Sequence, residues 1–154
     1  MKHPVYFKHS PDNPTPLSHR VVRKVRFDEL DPLNIVWHGH YASYFEDARV
    51  ALGNFYGIGY MDFFNQGIAI PLKKFHVDFY KPLQFDVSYT IEALLHWNEA
   101  ARLDFEFNIY DTDGGLQSSG YSVHLMVDKV QGVLVAKPTF FEDFCEKWRR
   151  EEIK

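Results

Sequence analysis

Between His40 and Tyr56 the apolar positions Tyr41, Tyr44, Phe45, Ala48, Ala51, Leu52 and Phe55 recur every three to four residues, the period of one helical face. Gly57 and Gly59 stand where such a helix would end, since glycine accepts the left-handed conformation of a closing turn. Met61 to Asn65 reads as one further helical turn. Downstream the period drops to two. Phe75, Val77 and Phe79 alternate with Lys74, His76 and Asp78, and a longer run follows at Phe85, Val87, Tyr89, Ile91, Ala93 and Leu95. A third run sets Leu103, Phe105, Phe107 and Ile109 opposite Arg102, Asp104, Glu106 and Asn108. Each predicts a strand with one apolar face, and together they predict a sheet half exposed to water. The Asp113-Gly114-Gly115 turn leads to a fourth run, Tyr121, Val123, Leu125 and Val127, and Asp128 to Gly132 turns into Val133 to Ala136.

Ahead of the helix, Val21 to Phe27 favours a strand that stops at the acidic Asp28-Glu29-Leu30-Asp31 before Pro32. At the far end Thr139 and Glu142 have capping-box spacing, and Phe140, Phe144 and Trp148 share one face of a final helix. The predicted order is β-α-β-β-β-β-β-α, an α+β chain whose short connections make antiparallel neighbours. One apolar sheet face must be covered, and helix 40–56 is the only element long enough, so the sheet is expected to curl around it. Residues 1–18, with Pro4, Pro11, Pro14 and Pro16 among polar residues, read as an extended tail, and residues 19–154 as a single domain.

Composition narrows the function. A chain of 154 residues with 45% apolar and 17% aromatic content supports one well-filled core and excludes disorder. Seventeen basic against twenty-one acidic residues give a net charge of −4, so no basic field is present to hold nucleic acid. No run approaches the roughly 20 apolar residues that span a bilayer. The single cysteine, Cys145, excludes an internal disulfide framework and fits a reducing compartment, so a cytoplasmic setting is expected.

The segment Phe27-Asp28-Glu29-Leu30-Asp31-Pro32-Leu33-Asn34-Ile35-Val36-Trp37-His38-Gly39-His40-Tyr41 carries the candidate chemistry. It places acids just upstream of a helix start, whose unpaired backbone N–H groups stabilise an oxygen that is gaining negative charge. A nearby carboxylate there would attack a carbonyl or activate water; the same acids would otherwise serve as solvated loop residues or partners of the helix dipole. His38 and His40 with Asp31 and Glu29 are ligand types for zinc or iron. Residues at i and i+2 point apart on a helix, however, and neither a metal nor a cofactor is expected.

Asp31-Pro32 followed by Ile35-Val36-Trp37, with Tyr41 and the helical Tyr44-Phe45-Glu46-Asp47-Ala48-Arg49, resembles the signature of the 4-hydroxybenzoyl-CoA thioesterase family of hotdog-fold acyl-CoA thioesterases. The element order agrees with the hotdog fold over most of residues 20–138, with the C-terminal helix an addition. The resemblance implies that Asp31 is the catalytic carboxylate, acting as nucleophile or as general base, and that the His38 backbone N–H polarises the thioester carbonyl. Trp37, Tyr41 and Ile70 are the residues expected to contact substrate. It further implies an acyl-CoA substrate and a homo-oligomer, dimer or tetramer, formed through strand pairing, with active sites at the dimer interface. Two positions depart from the pattern. Asn34 replaces the usual glycine, which a left-handed turn tolerates next best. Trp97-Asn98-Glu99-Ala100 occupies the hairpin where relatives carry basic residues for the CoA phosphates, leaving Arg102, Lys73, Lys74 or a basic residue of another subunit as substitutes. Alternatives to hydrolysis are a non-catalytic module that binds acyl-CoA or acyl-carrier protein, and a scaffold in which Asp31 only caps a helix.

Overall fold

The structure, a computed structural model, describes residues 3–153. Its main sheet has five strands, β1 (Leu17–Lys24), β3 (Leu72–Phe79), β4 (Ser88–His96), β5 (Arg102–Tyr110) and β6 (Leu116–Leu125), in the spatial order β1-β4-β5-β6-β3. The helix α1 (Tyr41–Tyr56) packs on β1, β4 and β5 and supplies the buried Tyr41, Tyr44, Phe45, Ala48 and Leu52. Gly57, at φ 73, closes it. A short helix, α2 (Tyr60–Asn65), leads to a small sheet of β2 (Ile68–Ala69), β7 (Val127–Asp128) and β8 (Gly132–Val133), and α3 (Thr139–Arg149) ends the domain. This is the expected curled antiparallel sheet around a central helix with an added C-terminal helix.

Several local expectations are corrected. The first strand begins at Leu17 and ends at Lys24, because pairing runs from Leu17 opposite Leu95 to Lys24 opposite Ser88. Phe27–Glu29 is wound into a 3-10 turn. The strand starting near Phe85 begins only at Ser88, since Asp86 takes a positive φ of 64 and breaks the extended run. The chain is not a simple meander: β3 skips β4 and pairs with β6, with Val77 opposite Gly120, so it forms an edge of the sheet.

The fourth apolar run is also reversed. Phe107 pairs with Gly120 and stacks on Phe45 at 4.7 Å, so Ser118, Gly120, Ser122 and His124 are the residues of β6 that face the helix. A Cβ on Gly120 would meet the His76 backbone carbonyl oxygen at 2.2 Å and the Phe45 ring at 2.7 Å, which is why glycine stands there. Tyr121 and Val123 point to the outer face. That face is open to water along β1, where Val22 is 72% exposed, but covered toward β6: Asp104 and Asn108 are 3% and 1% exposed, and Tyr6 and Phe7 of the N-terminal segment lie against Tyr121, His76 and His96.

In α3 the N-cap is Pro138, whose carbonyl accepts the Glu142 N–H at 2.8 Å, so Thr139 does not cap. The buried stripe is Phe141, Cys145 and Trp148, with Phe140 and Phe144 half-buried beside it. The helix docks under Phe63 and Trp97, a direction the helical period alone does not specify. Burial pushes the Cys145 thiol up to about 11, which leaves it protonated and unreactive near neutrality.

Candidate active site

The site grows from the loop between β1 and α1. Glu29 is its anchor: at 4% exposed it accepts the Arg26 N–H at 2.8 Å, the Tyr44 hydroxyl at 2.9 Å and the Arg23 guanidinium. Burial opposes its ionisation, but these donors outweigh that cost and hold the carboxyl below its ordinary range. Arg23 is held in turn by Ser43 and Asp47 on α1 and lies over the Tyr44 ring at 3.8 Å. The Glu29 carbonyl accepts the Trp37 N–H at 2.9 Å, tying the two ends of the loop together.

Between these ties the chain makes a narrow hairpin. Leu30 bridges Val36, the Asp31 N–H donates to the Ile35 carbonyl at 2.9 Å, and the Asn34 N–H returns to the Asp31 carbonyl at 2.9 Å. Asn34 takes a φ of 63, the left-handed geometry in which asparagine stands in for glycine. The hairpin is fastened from outside by the Val36 N–H on the Leu83 carbonyl, 3.0 Å. At its tip the Asp31 Oδ1 accepts the Leu33 N–H at 2.8 Å. A carboxylate accepts about four hydrogen bonds, so capacity remains for water or substrate.

His38 to His40 forms a single 3-10 turn that runs directly into α1. The His38 N–H opens this turn, where the helical run itself provides no acceptor. Asp31, His38 and Tyr41 line one cavity of about 350 Å³ together with Phe79, Tyr80 and Lys81 from the end of β3 and just beyond it, the Phe79 ring lying edge-on to Tyr41 at 4.7 Å. Burial pushes the Tyr41 phenol up against the opposing pull of a hydrogen bond with the Leu83 backbone, with smaller upward pushes from Tyr89 and Asp31, so Tyr41 is a neutral hydroxyl. A carboxylate, a free helix-start N–H and an apolar slot are the parts that acyl transfer requires.

Two residues expected to contact substrate do not line this cavity. Trp37 is 47% exposed and turned toward His38 and His40, with ring separations of 5.1 and 5.5 Å, and does not line the cavity. Ile70 is buried beside His124, whose Nδ1 lies 3.3 Å from the Ile70 carbonyl oxygen. Arg102 is occupied by Asp104 at 2.8 Å, and Lys73 and Lys74 lie exposed on β3. The wall from Phe79 to Lys81 is not legible in the sequence because nothing local links it to Asp31; the Val36 N–H on the Leu83 carbonyl and the Ile35–Gln84 bridge hold the segment just after it against the hairpin. Glu29 was legible only as an acid, and its anchoring role depends on Arg23 and Tyr44. Among the described residues no group of three or more His, Cys, Asp or Glu side chains is placed to hold a metal ion.

Residues 25–148 match the model of the Thioesterase-like superfamily. Among curated proteins the chain is 27% identical over 106 residues to "Putative acyl-CoA thioesterase YneP" of Bacillus subtilis (strain 168), covering 69% of this chain and 77% of that protein. Among solved structures it resembles a DHNA-CoA thioesterase from Staphylococcus aureus with a TM-score of 0.77 and 21% identity, over 88% of this chain and 91% of that one. A 1,4-dihydroxy-2-naphthoyl-CoA thioesterase from Synechocystis aligns with a TM-score of 0.74 and 14% identity, over 83% of this chain and 95% of its own.

Proposed function

Because the chain belongs to the Thioesterase-like superfamily of hotdog-fold thioester hydrolases, we propose that it hydrolyses an acyl-CoA to the free acid and coenzyme A, with Asp31 as the working carboxylate and the His38 N–H as the oxyanion donor. The observation that carries this reading is the convergence of Asp31, the start of the His38 turn and Tyr41 on one cavity. The thioester carbonyl would point at the His38 N–H, which strengthens its hold as the oxygen becomes negative; one such donor is worth about a hundredfold or more in rate. Asp31 then either attacks the carbonyl carbon, expelling the CoA thiolate and leaving a mixed anhydride that water opens, or removes a proton from the attacking water. Lys81 in the cavity lining would supply a cation near the incoming thioester, and Phe79 and Ile35 would be apolar surface for the acyl chain.

The working unit in this proposal is a homo-oligomer. The edge strand β3 leaves Phe75 and Phe79 at 42% and 54% exposed, and a bare edge with apolar residues is a template for pairing with a second copy. Since Phe79 also lines the cavity, such pairing would border the site.

The test is thiol release from benzoyl-, short-chain and long-chain acyl-CoA esters, comparing the parent protein with Asp31→Asn at matched folding. A loss of at least about a hundredfold is expected, the scale of a principal catalytic group. Undiminished turnover by Asp31→Asn would remove Asp31 from the chemistry, and binding without any turnover would favour a non-catalytic acyl-CoA module.

A further inference from the structure

The N-terminal segment lies outside the family match, which begins at residue 25, yet it is fastened to the domain. The Trp148 indole N–H donates to the Thr15 carbonyl at 2.9 Å, and further upstream Tyr6 rests on the outer face of β3 and β6. The Tyr6 hydroxyl donates to Asp78 Oδ2 at 2.6 Å and lies 2.6 Å from Ser119 Oγ, a fully buried residue. The Tyr80 hydroxyl lies 2.8 Å from the same Ser119 Oγ. Tyr80 lines the same cavity as Asp31.

Proton counting sets the direction of this chain. An ionised carboxylate only accepts, so the single Tyr6 proton is committed to Asp78. Ser119 must therefore donate to Tyr6, which spends its own proton. Tyr80 is left as the donor to Ser119. The hydrogen bonds run one way, Tyr80 to Ser119 to Tyr6 to Asp78, and end on a charge that polarises each link before it.

We infer that Tyr6 is a positioning residue for the thioester site, completing a directed hydrogen-bond chain that turns the Tyr80 hydroxyl away from the cavity and holds its ring in the wall. The inference rests on the reading of that cavity as the substrate site. Without the Tyr6 hydroxyl, the Tyr80–Ser119 bond loses the charged terminus that polarises it and can run in either direction, so Tyr80 is held less firmly in the cavity wall and competes with substrate for that space.

Two readouts separate the outcomes. In protein labelled with 3-fluorotyrosine, the Tyr80 resonance is assigned with Tyr80→Phe and then followed in Tyr6→Phe, a change that keeps the ring and its packing. The resonance is expected to move. For benzoyl-CoA, Tyr6→Phe is expected to raise KM about three- to tenfold, the scale of one net hydrogen bond, with kcat within about twofold, and to add nothing once Tyr80 is already Phe. A Tyr80 resonance that Tyr6→Phe leaves in place overturns the inference whatever the activity. So does an unchanged KM in an active enzyme, or an effect that adds fully to that of Tyr80→Phe. A parent protein that hydrolyses no thioester defeats the thioesterase reading instead, and the resonance alone then decides whether Tyr6 governs Tyr80.

Discussion

Glu29 and Asp31 stand two residues apart on one loop and have opposite surroundings. Glu29 is 4% exposed and takes hydrogen bonds from a backbone N–H, a tyrosine and an arginine, whereas Asp31 takes one, from Leu33, and borders a cavity. A carboxylate whose acceptor sites are filled by protein has little left to offer a substrate. One with spare capacity beside an apolar slot can take a proton or attack a carbon. The pair shows how neighbouring acids divide between holding a loop and using it.

The largest effect should come from breaking the anchor. Glu29→Gln keeps the shape but leaves the Arg23 guanidinium without its buried partner, and is expected to cost about 3 kcal/mol in urea unfolding, the lower end for a broken buried pair. The lower end applies because Arg23 retains Asp47 at 3.2 Å. Asp31→Asn should show the reverse behaviour. Its unfolding free energy is expected to stay within about 0.5 kcal/mol of the parent, since the amide oxygen still accepts the Leu33 N–H, while turnover collapses as described above. Equal destabilisation by the two substitutions would erase the division of labour.

Acid should report on Glu29 as well. Its folded-state carboxyl titrates below the unfolded one, so the native state binds fewer protons and the stabilisation is complete only above the ordinary carboxylate value, about pH 4.3. As pH falls from there through the folded value, that share of stability is lost. The urea midpoint of the parent is expected to drop more steeply below pH 4.3 than that of Glu29→Gln, and parallel curves would show that Glu29 is not the group responsible. The smallest effect is expected from Asn34→Ala, which puts an ordinary side chain at a φ of 63 and should cost about 1 kcal/mol. A rise in KM with little change in kcat would place the hairpin tip in substrate binding as well as in folding.

The helix α1, the alternating strands and the Asp31 to Tyr41 segment were legible in order because each is local. A 3.6-residue or two-residue apolar period, a proline beside an acid, or a residue that accepts a left-handed turn carries its meaning within a few positions. Asn34 is the clearest case, read as a tolerated left-handed residue and found at φ 63. What the period could not say is which face of β6 looks inward. Its Tyr121 lies under Tyr6 and Phe7, while Ser118, Gly120 and Ser122 face α1, with Gly120 pressed between the His76 backbone and the Phe45 ring. Nor could spacing along the chain place Tyr80 in the same cavity wall as Asp31, or Tyr6 and Tyr80 on one Ser119 hydroxyl. Those neighbours meet through side-chain hydrogen bonds between residues about 40 and 110 positions apart; the amino-acid order by itself determined the parts, while the sheet pairing, the Ile35–Gln84 and Val36–Leu83 ties and the packing on α1 decided which of them meet.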